Sequence, residues 1–123
     1  NCFYEIYNAE TGAVDGGWQL DHQWNSVHDQ TWSATGYIRM IFKNLFGMRF
    51  TPEGLTFKPD VELLQEFGVE KLSNLRYLNG RLNITISGKG SKLASVKVNG
   101  KTQSVKKPIA PADGITEIEL IIK

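Results

Sequence analysis

The chain has 123 residues, enough for one domain, or for a small domain with part of another. Its composition, 41% apolar and 22% charged, is that of an ordinary globular protein. A net charge of +1, with no basic run longer than Lys106-Lys107, argues against a nucleic-acid surface built on bulk positive charge. No apolar segment approaches the roughly 20 residues that span a bilayer, so no membrane partner is expected, and the single cysteine, Cys2, excludes an internal disulfide. With no base at a useful spacing, Cys2 is expected to be a small buried hydrophobe. The compartment is left open.

Residues 1–29 are rich in Gly, Asp, Asn and Trp with little periodicity, which predicts a long loop. A structureless loop of that length belongs to a functional site or has lost its packing partner. The stretch enters as though in mid-fold, so the chain is expected to be the tail of something larger.

The pattern then turns helical over about residues 31–46, with Asp29 or Thr31 as the N-terminal cap. Ala34, Ile38, Ile41, Phe42 and Leu45 follow the spacing of one helix face, and Tyr37, Met40 and Phe46 add apolar surface on its flanks. Gly36 weakens the first turns by about 1 kcal/mol relative to alanine, and Gly47 closes the helix as a left-handed residue. A helix apolar on most sides requires cover on several of them. In isolation it should expose apolar surface and self-associate.

From Thr51 the period drops to two. Strands are expected over residues 55–58, 68–77, 81–87, 93–98, 101–105 and 116–122. Val69, Leu72, Leu75 and Tyr77 are candidates for the buried side of the second, and Leu82, Ile84 and Ile86 alternate in the third. Asn79-Gly80 and Asn99-Gly100 carry the hairpin signal, Asp113-Gly114 is a further turn, and Gly88-Lys89-Gly90 is read as a hairpin turn rather than a phosphate loop. Short strands with close turns and no intervening helix predict a small antiparallel β-sandwich over residues 51–123, behind a loop-and-helix segment over residues 1–50. The fold class is therefore α+β.

Glu5 is the sharpest chemical candidate. It lies between Tyr4 and Tyr7, ahead of a Thr11-Gly12 turn. A carboxylate among aromatic rings is either desolvated or held by hydrogen bonds, and both prepare such a group for proton transfer; the plainer alternative is a partly exposed glutamate beside a turn. Trp18, Trp24 and Trp32 fall within fifteen residues. Indole faces suit the apolar face of a sugar ring, or they pack loop against helix, with Trp32 the better packing candidate. His22 and His28, with Asp15, Asp21 and Asp29, lack the spacing of a zinc or calcium site, so no metal and no cofactor is expected. His28 and Asp29, as sequence neighbours, are expected to point apart. No G-x-S-x-G element offers a serine nucleophile.

The run Tyr4-Glu5-x-Tyr7-Asn8-x-x-Thr11-Gly12, a Gly/Trp-rich stretch, and then Gln30-Thr31-Trp32-Ser33-Ala34 resembles the C-terminal end of six-hairpin (α/α)6 glycoside hydrolases. It is most similar to the trehalase and processing-α-glucosidase-like group. Leu45-Phe46-Gly47-Met48 and Gly54-Leu55-Thr56-Phe57-Lys58-Pro59 resemble the passage from such barrels into a C-terminal β-domain in bacterial members, and Arg76-Tyr77 and Val98-Asn99-Gly100-Lys101 fit its strands and turns. The long insertion from Ala13 to Asp29 departs from the group's pattern. The resemblance implies that Glu5 is the general base of an inverting mechanism, with Tyr4, Tyr7, Trp18 and Trp24 on the carbohydrate. The helix at residues 31–46 would then be one of the last of the barrel, and the general acid would come from far upstream. By itself the chain would be catalytically silent, with the missing barrel or another copy covering the helix. The alternative is a non-catalytic β-sandwich module that binds carbohydrate or a protein partner.

Overall fold

Alternating apolar residues after Gly47 make strands whose inward side chains need a second layer, and most of the chain's ordered structure answers that demand. The computed structural model describes residues 2–19, 22–110 and 112–123, with the side chains of residues 17–19 and 22–24 outside the description. The chain separates into two units, Asn1–Met40 and Ile41–Lys123. The second unit thus takes in residues 41–50, which the sequence reading grouped with the helix.

In the first unit, the expected long loop is paired backbone. β1 (Gly16–Gln19) and β2 (His22–Asn25) form an antiparallel hairpin, and Tyr7 bridges Val14. Asn8 organises the turn between those bridge residues: its Oδ1 accepts from the N–H groups of Glu10 (3.0 Å) and Thr11 (2.9 Å), and its own N–H donates to the Ala13 carbonyl. This is the Asx geometry that lets asparagine replace a backbone turn. α1 (Thr31–Arg39) follows, with Gln30 at the cap position and no side-chain capping bond, so neither Asp29 nor Thr31 caps it. Met40–Leu45 continues as a π-helical stretch.

No residue of this unit whose side chain is described is buried. Trp32 is 64% exposed, which overturns its expected packing role, and Tyr37, Ile38 and Met40 are about half exposed. Cys2 is exposed for the same reason: the unit offers no core to receive it.

The second unit holds the core. β3 (Met48–Thr51) and β4 (Gly54–Phe57) pair as a hairpin, and Leu55 exchanges two backbone hydrogen bonds with Ile109. α2 (Val61–Glu66) was unforeseen. Asp60 caps it by accepting from the Leu63 N–H at 3.2 Å, and Val61 and Leu64 bury one side of it. The remaining strands are β5 (Lys71–Tyr77), β6 (Gly80–Gly88), β7 (Leu93–Val98), β8 (Lys101–Gln103) and β9 (Gly114–Ile122). They form one sheet in the order β5-β6-β9-β7-β8.

This sheet is mixed, correcting the purely antiparallel expectation: β6 and β9 run parallel from the Gly80/Gly114 pair to the Gly88/Ile122 pair. The Gly88–Lys92 segment is accordingly not a hairpin. β9 occupies the place between β6 and β7, and the Lys123 carbonyl accepts from the N–H groups of Ser91 and Lys92, both at 3.1 Å.

One face of the sheet carries Leu82, Ile84, Val96, Ile118 and Leu120 into a cluster with Phe46, Met48, Leu55, Phe57, Leu64 and Ile109. Ile41, Phe42 and Leu45 pack against it, as do Val69, Leu72, Leu75 and Tyr77, the set expected on the buried side of a strand over residues 68–77; Val69 precedes β5 and the other three lie in it. The other face is polar. Asn83 Nδ2 donates to Glu117 Oε1 (2.7 Å), and Glu119 accepts from the Ser87 hydroxyl (2.7 Å) and from Lys97 Nζ (2.9 Å). No helix among the described residues is long and apolar enough to cross a membrane.

Two turns separate strict from lenient glycine positions. Gly47 has φ +59°, as its helix-closing role requires, and a Cβ there would stand 1.7 Å from the Lys58 carbonyl oxygen. Gly100 (φ +79°), with Asn99 (φ +48°), forms the expected Asn-Gly hairpin turn, and a Cβ at Gly100 would meet nothing within 4 Å. The turn near Asn79 lies one residue earlier than expected. Leu78 (φ +52°) and Asn79 form the loop, while Gly80 enters the sheet where a side chain would strike the Ala112 carbonyl at 2.1 Å.

Two predictions follow from this packing. Gly100→Ala should lower unfolding free energy by about 1 kcal/mol, whereas Gly47→Ala should cost on the order of 3 kcal/mol or more because strain and collision add; urea denaturation of both variants checks the gap. The second concerns Glu119, whose carboxyl is held below the usual carboxylate range, first by the Ser87 hydroxyl and then by Lys97. A lowered folded-state pKa gives stability that is present above the unfolded value of about 4.5 and lost as pH falls through the folded value. The stability advantage of the wild type over Glu119→Gln should therefore be full near neutral pH and vanish in acid, as denaturation at a series of pH values would show.

Candidate functional site

Backbone pairing, not side-chain burial, builds the candidate site. The segment carrying Glu5 lies beside the residues that lead into α1: the Glu5 N–H donates to the Val27 carbonyl (2.9 Å) and the Gln30 N–H to the Phe3 carbonyl (2.8 Å). Ser26 adds two bonds, its Oγ accepting from the Ile6 N–H at 2.8 Å and donating to the Ile6 carbonyl at 3.3 Å. The hairpin β1–β2 thus leaves and returns, and residues 3–6 meet residues 26–30 across it. The insertion from Ala13 to Asp29 is an excursion whose ends are stitched together.

Aromatic contacts surround this seam. The Tyr4 N–H donates to the Tyr7 hydroxyl at 2.7 Å, and the two rings meet edge to face at 6.4 Å. His28 also meets the Tyr4 ring edgewise at 6.4 Å, and Phe3 lies 5.4 Å from Tyr37 of α1. Hydrogen bonding to the Cys2 side chain, with Coulombic repulsion from the same sulfur next, holds the Tyr4 hydroxyl above the usual phenol range. His28 and Asp29, expected to point apart, meet instead: Nδ1 lies 2.9 Å from Asp29 Oδ2. The cause is the left-handed backbone at Asp29 (φ +57°), which turns its side chain back toward its neighbour. Because a carboxylate only accepts, that contact places a proton on Nδ1 and leaves Nε2 open.

Glu5 is half-buried, with its N–H used in the seam. The structure therefore brings Tyr7 and His28 to the Tyr4 ring and Asp29 to His28, while Glu5 is held beside them through its backbone bond to Val27. Trp18 and Trp24 sit at neighbouring register positions of the hairpin, Trp18 opposite Gln23 and Trp24 opposite Gly17; their side chains lie outside the described residues. Asp15 is turned to its own loop, accepting from the Gly16 N–H at 2.8 Å, and Asp21 lies outside the described residues. Among the described residues no group of three or more His, Cys, Asp or Glu side chains could hold a metal.

Sequence reasoning missed the His28–Asp29 pair, because local alternation misleads where φ is positive. It also missed a cleft of about 580 Å³ in the second unit, floored by Val61, Leu64, Val69, Ile86 and Ile122. Its signal was the Asp60 cap followed by apolar residues at helical spacing. The cleft's rim is already engaged, since Gln65 Nε2 donates to the Gly90 carbonyl at 2.9 Å and the Ser87 hydroxyl to Glu119. In comparisons with protein-family models, curated proteins and solved structures, nothing matches this chain.

Proposed function

We propose that this chain forms the C-terminal part of a glycoside hydrolase that cleaves oligosaccharides by an inverting two-carboxylate mechanism, with Glu5 as general base. The observation that carries the reading is the placement of Glu5: half-buried, backbone-anchored beside Val27, and lying in sequence between Tyr4 and Tyr7, whose rings meet edge to face near the start of α1. Aromatic faces with polar tips suit a sugar ring and its hydroxyls, and a carboxylate beside them can draw a proton from a water below the anomeric carbon. An inverting pair holds its carboxyls about 6.5–9.5 Å apart to admit that water. Asp15 and Asp29 take part in local hydrogen bonds, and in this reading, as the resemblance implies, the general acid is supplied by the upstream barrel.

The apolar exposure of α1 supports the same reading. Trp32, Tyr37 and Ile38, with Met40 just after the helix, present ring and aliphatic surface without a buried residue among them, which suits a helix of a larger helical barrel. Without that cover, the same surface would drive self-association. The second unit, with its own closed core, favours one alternative: a β-rich module that binds carbohydrate or a protein partner without catalysis.

The test is Glu5→Gln in the native polypeptide that carries this sequence, assayed on α-linked disaccharides. Loss of a general base should lower kcat by about 10²–10⁴-fold with the circular dichroism spectrum unchanged. Undiminished turnover would remove Glu5 from the mechanism.

A further inference from the structure

The solvent face of the five-stranded sheet contains a pairing that disfavours the fold it belongs to. Arg76 on β5 and Arg81 on β6 are directly opposed in register, one step from the Tyr77/Gly80 pair that closes the Leu78-Asn79 loop. Opposed residues of an antiparallel pair hold their Cβ atoms about 4.5–5.5 Å apart, and like charges in that position repel. Among the described residues the ion pairs are His28–Asp29 and Lys97–Glu119, so neither arginine has a carboxylate in ion-pair reach there. The carboxylates of the same face are committed to other groups: Glu117 accepts from Asn83, and Glu119 from Ser87 and Lys97.

The backbone nevertheless keeps one of these guanidinium groups in place. The β5–β6 register shifts between Leu72 and Leu75, and Asn74 within that bulge is left-handed (φ +60°). Asn83 Oδ1 accepts from the Asn74 N–H at 2.9 Å, which fixes the bulge. Asn74 Oδ1 in turn accepts from Arg81 Nη1 at 2.9 Å, and the Asn74 carbonyl lies 3.4 Å from the same nitrogen. A strained, twice-anchored asparagine thus orients Arg81 while leaving most of its donors unused. Arg76, exposed on the edge strand, stands opposite in register and makes no side-chain hydrogen bond among the described residues.

We propose that Arg76 and Arg81 form an oxyanion site, with Asn74 as its positioning residue, and that it takes the phosphate or carboxylate group of a small anionic ligand. Guanidinium groups carried on directly opposed positions of one sheet face can close on one oxyanion with charge-assisted, bidentate hydrogen bonds. Binding converts the repulsion between them into attraction to a shared partner. The site lies wholly in the second unit and does not depend on Glu5.

The test is a nuclear magnetic resonance titration of the full 123-residue chain at constant ionic strength, once with inorganic phosphate and once with glucuronate. Saturable shifts of the Arg76 and Arg81 Nε–Hε signals are expected, with affinity at least tenfold weaker in Arg76→Gln and several-fold weaker in Asn74→Ala. Arg76→Gln should also raise Tm in anion-free, low-salt buffer, since it removes the repulsion without removing an intramolecular hydrogen bond. Saturation by phosphate alone assigns a phosphate ester, and saturation by glucuronate alone assigns an acidic sugar. Shifts that fail to saturate with either anion, or that persist unchanged in a folded Arg76→Gln chain, overturn the site.

Discussion

The insertion of β9 between β6 and β7 is the constraint on which the larger unit depends. Ile118, Leu120 and Ile122 point from β9 into the core and are at most 2% exposed, while Glu117 and Glu119 tie its other face to Asn83, Ser87 and Lys97. Pairing β6 with β9 joins residues 34 positions apart along the whole length of both strands, from Gly80/Gly114 to Gly88/Ile122. Such non-local pairing has to overcome loop-closure entropy before it is rewarded. The surrounding glycines serve the same junction. Gly80 lets β6 pass against the Ala112 carbonyl, and Gly88 and Gly90 let the chain turn beneath Ile122 and Lys123.

The first unit works by the opposite rule. Its order comes from backbone bonds and polar turns: Asn8 within its loop, Ser26 against Ile6, Glu5 against Val27 and Gln30 against Phe3. With no described side chain buried, it lacks the apolar burial that normally outweighs chain entropy. A two-stranded hairpin alone is marginal in water. An exposed aromatic helix on such a frame is an element built for cover. That property, more than any single residue, links the geometry around Glu5 to the proposed place of this chain within a larger helical hydrolase.

Much of the second unit was legible because period-two patterning reports burial directly. Leu82 and Ile84 on β6 and Leu72 and Leu75 on β5 lie on the side their alternation indicates, and Asn99-Gly100 turns as two positive-φ residues should. Strand order was not legible, because alternation gives a strand's face but not its neighbours. Adjacency in sequence suggested a β6–β7 hairpin where β9 intervenes. α2 escaped because only six residues carry its pattern, although the Asp60 cap was there to read. Around Glu5 the residue types pointed to an aromatic, carboxylate-bearing site, but the seam that assembles it is made of backbone groups that every residue possesses. The His28–Asp29 contact likewise depends on one left-handed residue that no composition rule reveals.

The stereochemical course of hydrolysis by the native polypeptide that carries this sequence tests the central claim most directly. Followed by ¹H nuclear magnetic resonance during the first turnovers, before mutarotation, an α-linked disaccharide should release the β-anomer, the signature of a base-activated water attacking opposite the leaving group. Release of the α-anomer, or no hydrolysis of any oligosaccharide offered, would contradict the assignment of Glu5 as the base of an inverting glycosidase.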